Sequence, residues 1–76
     1  MVIGIRSIDQ KIDYMIKCIG TDVFAKVEEK LYEEYPEYRE TDNYFICNGC
    51  VLRRFKTLKE NKIKDGSLIL LTKRDY

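Results

Sequence analysis

Thr57-Leu58, then Ile63, then Asp65-Gly66-Ser67 leading into Leu68-Ile69-Leu70-Leu71, is the stretch that decides the fold. Four consecutive apolar residues behind an Asp-Gly turn predict a final strand, and Leu58 and Ile63 are spaced to plug a core beneath a polar loop. Just upstream, Tyr44-Phe45-Ile46-Cys47 and Cys50-Val51-Leu52 flank Asn48-Gly49. Asn-Gly between apolar runs is the strongest short hairpin signal, because both turn residues must take positive φ. The second half therefore predicts a hairpin, a long polar connection over Arg53–Lys64 pinned by Phe55, Leu58 and Ile63, and a last strand.

The first half supplies the rest. Met1, Ile3 and Ile5 alternate with Val2, Gly4 and Arg6, and Ile12, Tyr14, Ile16 and Cys18 alternate with Asp13, Met15 and Lys17. Both have the two-residue period of half-buried strands, joined by the polar turn at 7–10 into an antiparallel hairpin. Gly20-Thr21-Asp22 then breaks the pattern and offers helix-capping side chains. Phe24, Val27, Leu31 and Tyr35 follow one helical stripe, with Lys26, Glu29, Lys30 and Glu33 facing outward. Pro36 disfavours helical geometry at Tyr35 and ends the helix there. Residues 38–42 read as a connecting loop. One amphipathic helix covers one face of a mixed sheet, which makes an α+β domain in two layers.

Composition narrows the function classes. The chain has 76 residues, enough for a single small domain, and no apolar run long enough for a membrane span. Fourteen Lys and Arg against thirteen Asp and Glu leave a net charge of +1, which gives no nucleic-acid or membrane footprint. The charges are segregated: Glu28, Glu29, Glu33, Glu34, Glu37 and Glu40 sit mid-chain, and Arg53, Arg54, Lys56, Lys59, Lys62 and Lys64 follow. Three cysteines are an odd number, which argues against a secreted disulfide framework and for an intracellular chain. Cys47-Asn48-Gly49-Cys50 has half a zinc-knuckle spacing, but the chain has no histidine and only Cys18 besides. A tetrahedral site needs four ligands, so these thiols read as small core or core-edge groups, with Cys18 and Cys47 inside and Cys50 near the edge. With no histidine and no Gly-rich phosphate loop, neither an enzyme nor a cofactor is expected.

The order strand, strand, helix, strand, short strand, loop, strand resembles ubiquitin and the ubiquitin-like domains, whose fold is the β-grasp. The resemblance covers essentially the whole chain. It is most specific in Phe45-Ile46-Cys47-Asn48-Gly49-Cys50-Val51-Leu52 and in Thr57-Leu58, Ile63 and Gly66-Ser67-Leu68-Ile69-Leu70. It implies a ββαββ(β) order, with a four- to five-stranded mixed sheet packed on one helix. It also implies a single ubiquitin-like domain over 1–76, excised from a longer intracellular eukaryotic protein.

In that family partners recognise an apolar patch on the exposed sheet face, which the resemblance carries to Ile46, Ile69 and Leu71. Alternation gives the same reading if Leu68 and Leu70 are core. Tyr44 is expected at the rim, with Arg53 and Arg54 supplying charge complementarity. The family's modifiers end in two glycines, whereas this sequence closes Thr72-Lys73-Arg74-Asp75-Tyr76, so as written it is not conjugated. The expected role is a monomeric, non-covalent protein-interaction module of the cytoplasm or nucleus. Its implied partners are ubiquitin receptors, the proteasome or other ubiquitin-pathway proteins. The alternatives are a modifier whose Gly-Gly tail lies beyond Tyr76, and a Ras-association or PB1-like module that binds through a basic sheet edge at Arg6, Lys11 and Lys17.

Overall fold

A computed structural model of the chain describes residues 1–73. Five strands and one α-helix follow in the order β1 (Val2–Ser7), β2 (Asp13–Lys17), α1 (Phe24–Glu34), β3 (Asn43–Cys47), β4 (Cys50–Val51) and β5 (Leu68–Lys73), with a 3₁₀ helix over Pro36–Glu40. The strands form one mixed sheet ordered β2-β1-β5-β3-β4, in which β1 and β5 are parallel and the other pairs antiparallel. The chain is thus an α+β fold with one helix against a five-stranded sheet. Among the described residues, no helix is long and apolar enough to cross a membrane.

Local sequence explains the hairpins. Asn48 and Gly49 have φ of 54° and 78°, the doubly positive geometry whose twist matches the flanking strands. At the first hairpin, Ser7 Oγ accepts the Ile12 N–H and donates to Asp9, whose carboxylate also accepts the Lys11 N–H. These bonds hold Asp9 below the usual carboxylate range. Gly66 (φ 82°) turns the chain into β5, as the Asp-Gly pair predicts.

The start of α1 differs from expectation. Its cap is Val23, which makes no side-chain bond, while Asp22 instead accepts the Ile19 N–H in the turn before it. The first free helical N–H groups are met from far along the chain: Phe24 N–H donates to the Lys56 carbonyl and Ala25 N–H to that of Arg54. The long loop after β4 therefore closes the helix end that the local sequence leaves open. Leu58 and Ile63 anchor this loop in the core as expected. Phe55 does not, since it is 82% exposed. The segment expected as a plain loop after α1 contains the 3₁₀ helix, started by Pro36 and holding Tyr38 in the core.

The core joins Ile3, Ile5, Ile12 and Ile16 of the first hairpin to Phe24, Val27 and Leu31 of α1. Phe45, Leu58, Ile63, Ile69 and Leu71 join them, together with Cys18, Tyr32, Tyr38 and Cys47. Phe24 and Phe45 meet edge-to-face at 5.0 Å, and Tyr14 and Tyr35 at 6.0 Å.

One carboxylate counted among the mid-chain acids is buried. Glu28 lies on the inner flank of α1, where Oε1 accepts Arg54 Nε–H at 2.7 Å and Oε2 accepts the Tyr32 hydroxyl at 2.7 Å. Asn43 Nδ2 donates to the Tyr32 oxygen and to the Tyr38 carbonyl, and its Oδ1 lies 2.6 Å from the Thr41 hydroxyl. This chain of polar contacts ties α1, the 3₁₀ helix, β3 and the loop after β4 together.

Burial, reinforced by the bond to Glu28, pushes the Tyr32 hydroxyl from 10.0 up to about 12. The folded state thus keeps a proton that the unfolded chain loses near pH 10. The stabilisation is complete below that pH and is lost as pH rises towards about 12. Burial raises Tyr14, Tyr38, Cys18 and Cys47 in the same sense. Urea midpoints should therefore fall steeply through the alkaline range, and less steeply in Tyr32→Phe. Parallel pH profiles for the two proteins would remove Tyr32 as the main titrating group.

Candidate docking surface

The sheet face turned away from α1 is built by strand register. Residues paired directly across neighbouring strands point to the same face. Arg6 pairs with Asp13 on one side and Leu70 on the other, Leu70 pairs with Ile46, and Ile46 with Val51. One row of side chains thus crosses all five strands: Asp13, Arg6, Leu70, Ile46, Val51. One step along the strands, Gly4 pairs with both Met15 and Leu68. A Cβ at Gly4 would meet Met15 Sδ at 3.2 Å and Leu68 Cδ1 at 3.4 Å. Glycine at this position lets the two flanking side chains close over it, so the apolar surface continues from β2 to β5.

The same register corrects two of the expected patch residues. Ile69 pairs with Ile5, and Leu71 with Ser7 and Phe45, all on the helix side. Ile69 and Leu71 are 0% and 2% exposed, whereas Leu68 and Leu70 are 45% and 37% exposed. The alternation in β5 is the reverse of that expected. Four apolar residues in a row carry no phase of their own, and the partner strands set it. Ile46 and Tyr44 lie half-buried on the open face as expected, with Tyr44 opposite Thr72.

The basic residues separate. Arg54 is held by Glu28, a bond that raises its pKa, and it lines a recess at the sheet margin together with Tyr44 and Val51. Arg53 lies in the loop after β4, its backbone N–H and C=O both bonded to the Asn61 side chain. Arg6 is not at a sheet edge, because β1 lies between β2 and β5, and it pairs with Asp13 at 3.6 Å. Lys17 lies on β2, the terminal strand, with Lys11 in the preceding turn. The expectations about Asp75 and Tyr76 fall outside the described residues.

Signals for the missed members were present in part. Leu70 and Leu68 were visible as apolar but not in phase, and Met15 faces outward from the alternation already noted. Val51 is exposed because β4 is short and terminal.

Cys18 and Cys47 are buried and Cys50 is exposed, as their positions predict. Burial raises the Cys18 and Cys47 thiols, which keeps them protonated and weakly nucleophilic. No group of three or more His, Cys, Asp or Glu side chains able to hold a metal is present among the described residues.

The open face therefore presents Met15, Leu68, Leu70, Ile46 and Val51 as one stretch of apolar surface, bordered by the Arg6–Asp13 pair. An apolar surface of this continuity is suited to burying another molecule's apolar groups. No protein-family model matches the chain, and no curated protein matches it.

Proposed function

We propose that the chain is a ubiquitin-like β-grasp domain that binds other proteins non-covalently through the open face of its sheet. The observation that carries this reading is the apolar row Leu70–Ile46–Val51, extended by Met15 and Leu68 closing over Gly4. The element order and the sheet order β2-β1-β5-β3-β4, with its central parallel pair, support the fold assignment. The role is that of a binding module rather than an enzyme, acting in the cytoplasm or nucleus on proteins of the ubiquitin pathway. The interface expected on a single sheet face is small and transient, of modest affinity. The basic-edge mode has less support, since Arg6 lies inside the sheet and is paired with Asp13.

Leu70→Asp tests the docking reading. It should leave thermal stability near that of the parent and remove proteins recovered by quantitative affinity capture. Phe55→Ala, a change of an exposed apolar residue outside the row, should not. An unchanged capture profile with Leu70→Asp would refute docking on this face.

A further inference from the structure

We infer that the partner segment which docks on this face is a linear peptide with acidic residues beside its apolar anchor, and that the acidic part lies in the cleft between β4 and the loop 53–62. The inference rests on the docking reading above and adds the chemistry of the partner. Val51 joins the two regions: it ends the apolar row and also lines an open cleft of about 740 Å³ with Arg53, Lys56, Glu60 and Lys62. β4 is the terminal strand, so an extended segment crossing Leu70, Ile46 and Val51 runs directly into this cleft.

The cleft is pre-shaped. Asn61 Nδ2 donates to the carbonyls of Arg53 and Thr57, at 2.9 and 3.1 Å, while its Oδ1 accepts the Arg53 N–H at 2.8 Å. Thr57 and Glu60 cap each other: Thr57 N–H donates to Glu60 Oε1 at 2.9 Å, and Glu60 N–H to Thr57 Oγ1 at 3.0 Å. These bonds lower the Glu60 pKa and engage one oxygen of its carboxylate, which is the one acidic group among the described residues that line the cleft. Arg53, Lys56 and Lys62 line the cleft and make no ion pair within 4 Å among the described residues. Three cations against one carboxylate, on a stapled loop beside an apolar row, favour an acidic peptide segment. A nucleic-acid strand has less support, because a net charge of +1 lacks the strong basic excess that binding a polyanion draws on.

The experiment is selection of a displayed random linear-peptide library on the parent chain, on Leu70→Asp and on the double variant Lys56→Glu/Lys62→Glu. Lys56→Gln/Lys62→Gln is a second, milder variant should charge reversal disturb folding. Parent-selected peptides should combine an apolar anchor with neighbouring acidic residues. Synthesised singly, they should bind about tenfold more weakly to the charge-reversed variant, weaken with added salt, and fail to bind Leu70→Asp. Peptides without acidic enrichment, bound equally by the charge variants and lost only with Leu70→Asp, overturn the inference and leave the docking face standing. Binding unaffected by Leu70→Asp, or no selected peptide, overturns both. Tighter binding of a single-stranded oligonucleotide, released by the same charge reversal, overturns the inference in favour of nucleic acid. Sedimentation showing self-association that Lys56→Glu/Lys62→Glu abolishes overturns it in favour of a second copy.

Discussion

Ile69→Asp should yield no cooperatively folded protein, whereas Leu70→Asp, one residue away on the same strand, should fold and melt much like the parent. Ile69 is 0% exposed and pairs with Ile5 in the parallel centre of the sheet. Truncating a buried isoleucine costs about 2–5 kcal/mol from lost burial and the cavity left behind. Enclosing a carboxylate without a partner adds several kcal/mol more. A chain of this length has roughly 4–11 kcal/mol to lose, at about 0.05–0.15 kcal/mol per residue. Leu71→Asp should behave like Ile69→Asp, because Leu71 sits between Ser7 and Phe45 on the helix side. Leu70 points the other way, and aspartate there keeps its water. Far-UV circular dichroism and urea titration of the three variants distinguish them. A cooperative Ile69→Asp with the parent's midpoint would show that the facing of β5 is wrong.

Glu28→Ala is expected to be the most damaging change at a charged residue, at about 3 kcal/mol. For a domain of this size that lowers the melting temperature by roughly 10–20 °C. The substitution removes the acceptor of the buried Tyr32 hydroxyl and the partner of Arg54 together. Glu28→Gln keeps the shape and part of the bonding, and should cost about 1 kcal/mol. Depth of burial, more than contact distance, sets the difference between this pair and its neighbour. Arg39 and Glu29 lie closer, at 2.6 Å, but both side chains are about half exposed. Water and salt screen that pair to a few tenths of a kcal/mol. A double-mutant cycle on Glu28 and Arg54 should give a coupling above about 1 kcal/mol, against about 0.5 kcal/mol or less for Glu29 and Arg39. Equal couplings in the two cycles would refute a structural role for the buried network.

The burial of Glu28 was partly legible. It stands four residues from both Phe24 and Tyr32, on the flank of the helical stripe, a position that acids on a solvated face do not need. What the spacing did not show was the partner. Arg54 lies 26 residues away, and only the loop after β4 brings it against α1.

The helix cap follows the same pattern. Gly20-Thr21-Asp22 has capping side chains, and local chemistry alone favours their use. Docking of the loop over α1 supplies the Lys56 and Arg54 carbonyls instead, which leaves Asp22 to hold the preceding turn.

By itself the sequence determined the features whose signals are local. Asn48-Gly49 forced its hairpin, the period change after Gly20 separated strand from helix, and Leu58 and Ile63 marked the core points of the long loop. Tertiary structure alone decided which face of β5 meets the helix, because Leu68-Ile69-Leu70-Leu71 is equally apolar in both phases. The strands on either side resolved it: Ile5 and Phe45 point inward, and the residues paired with them must do the same. That choice buried Ile69 and Leu71, turned Leu68 and Leu70 outward, and moved the candidate docking surface onto a row that exists only once five strands are in register.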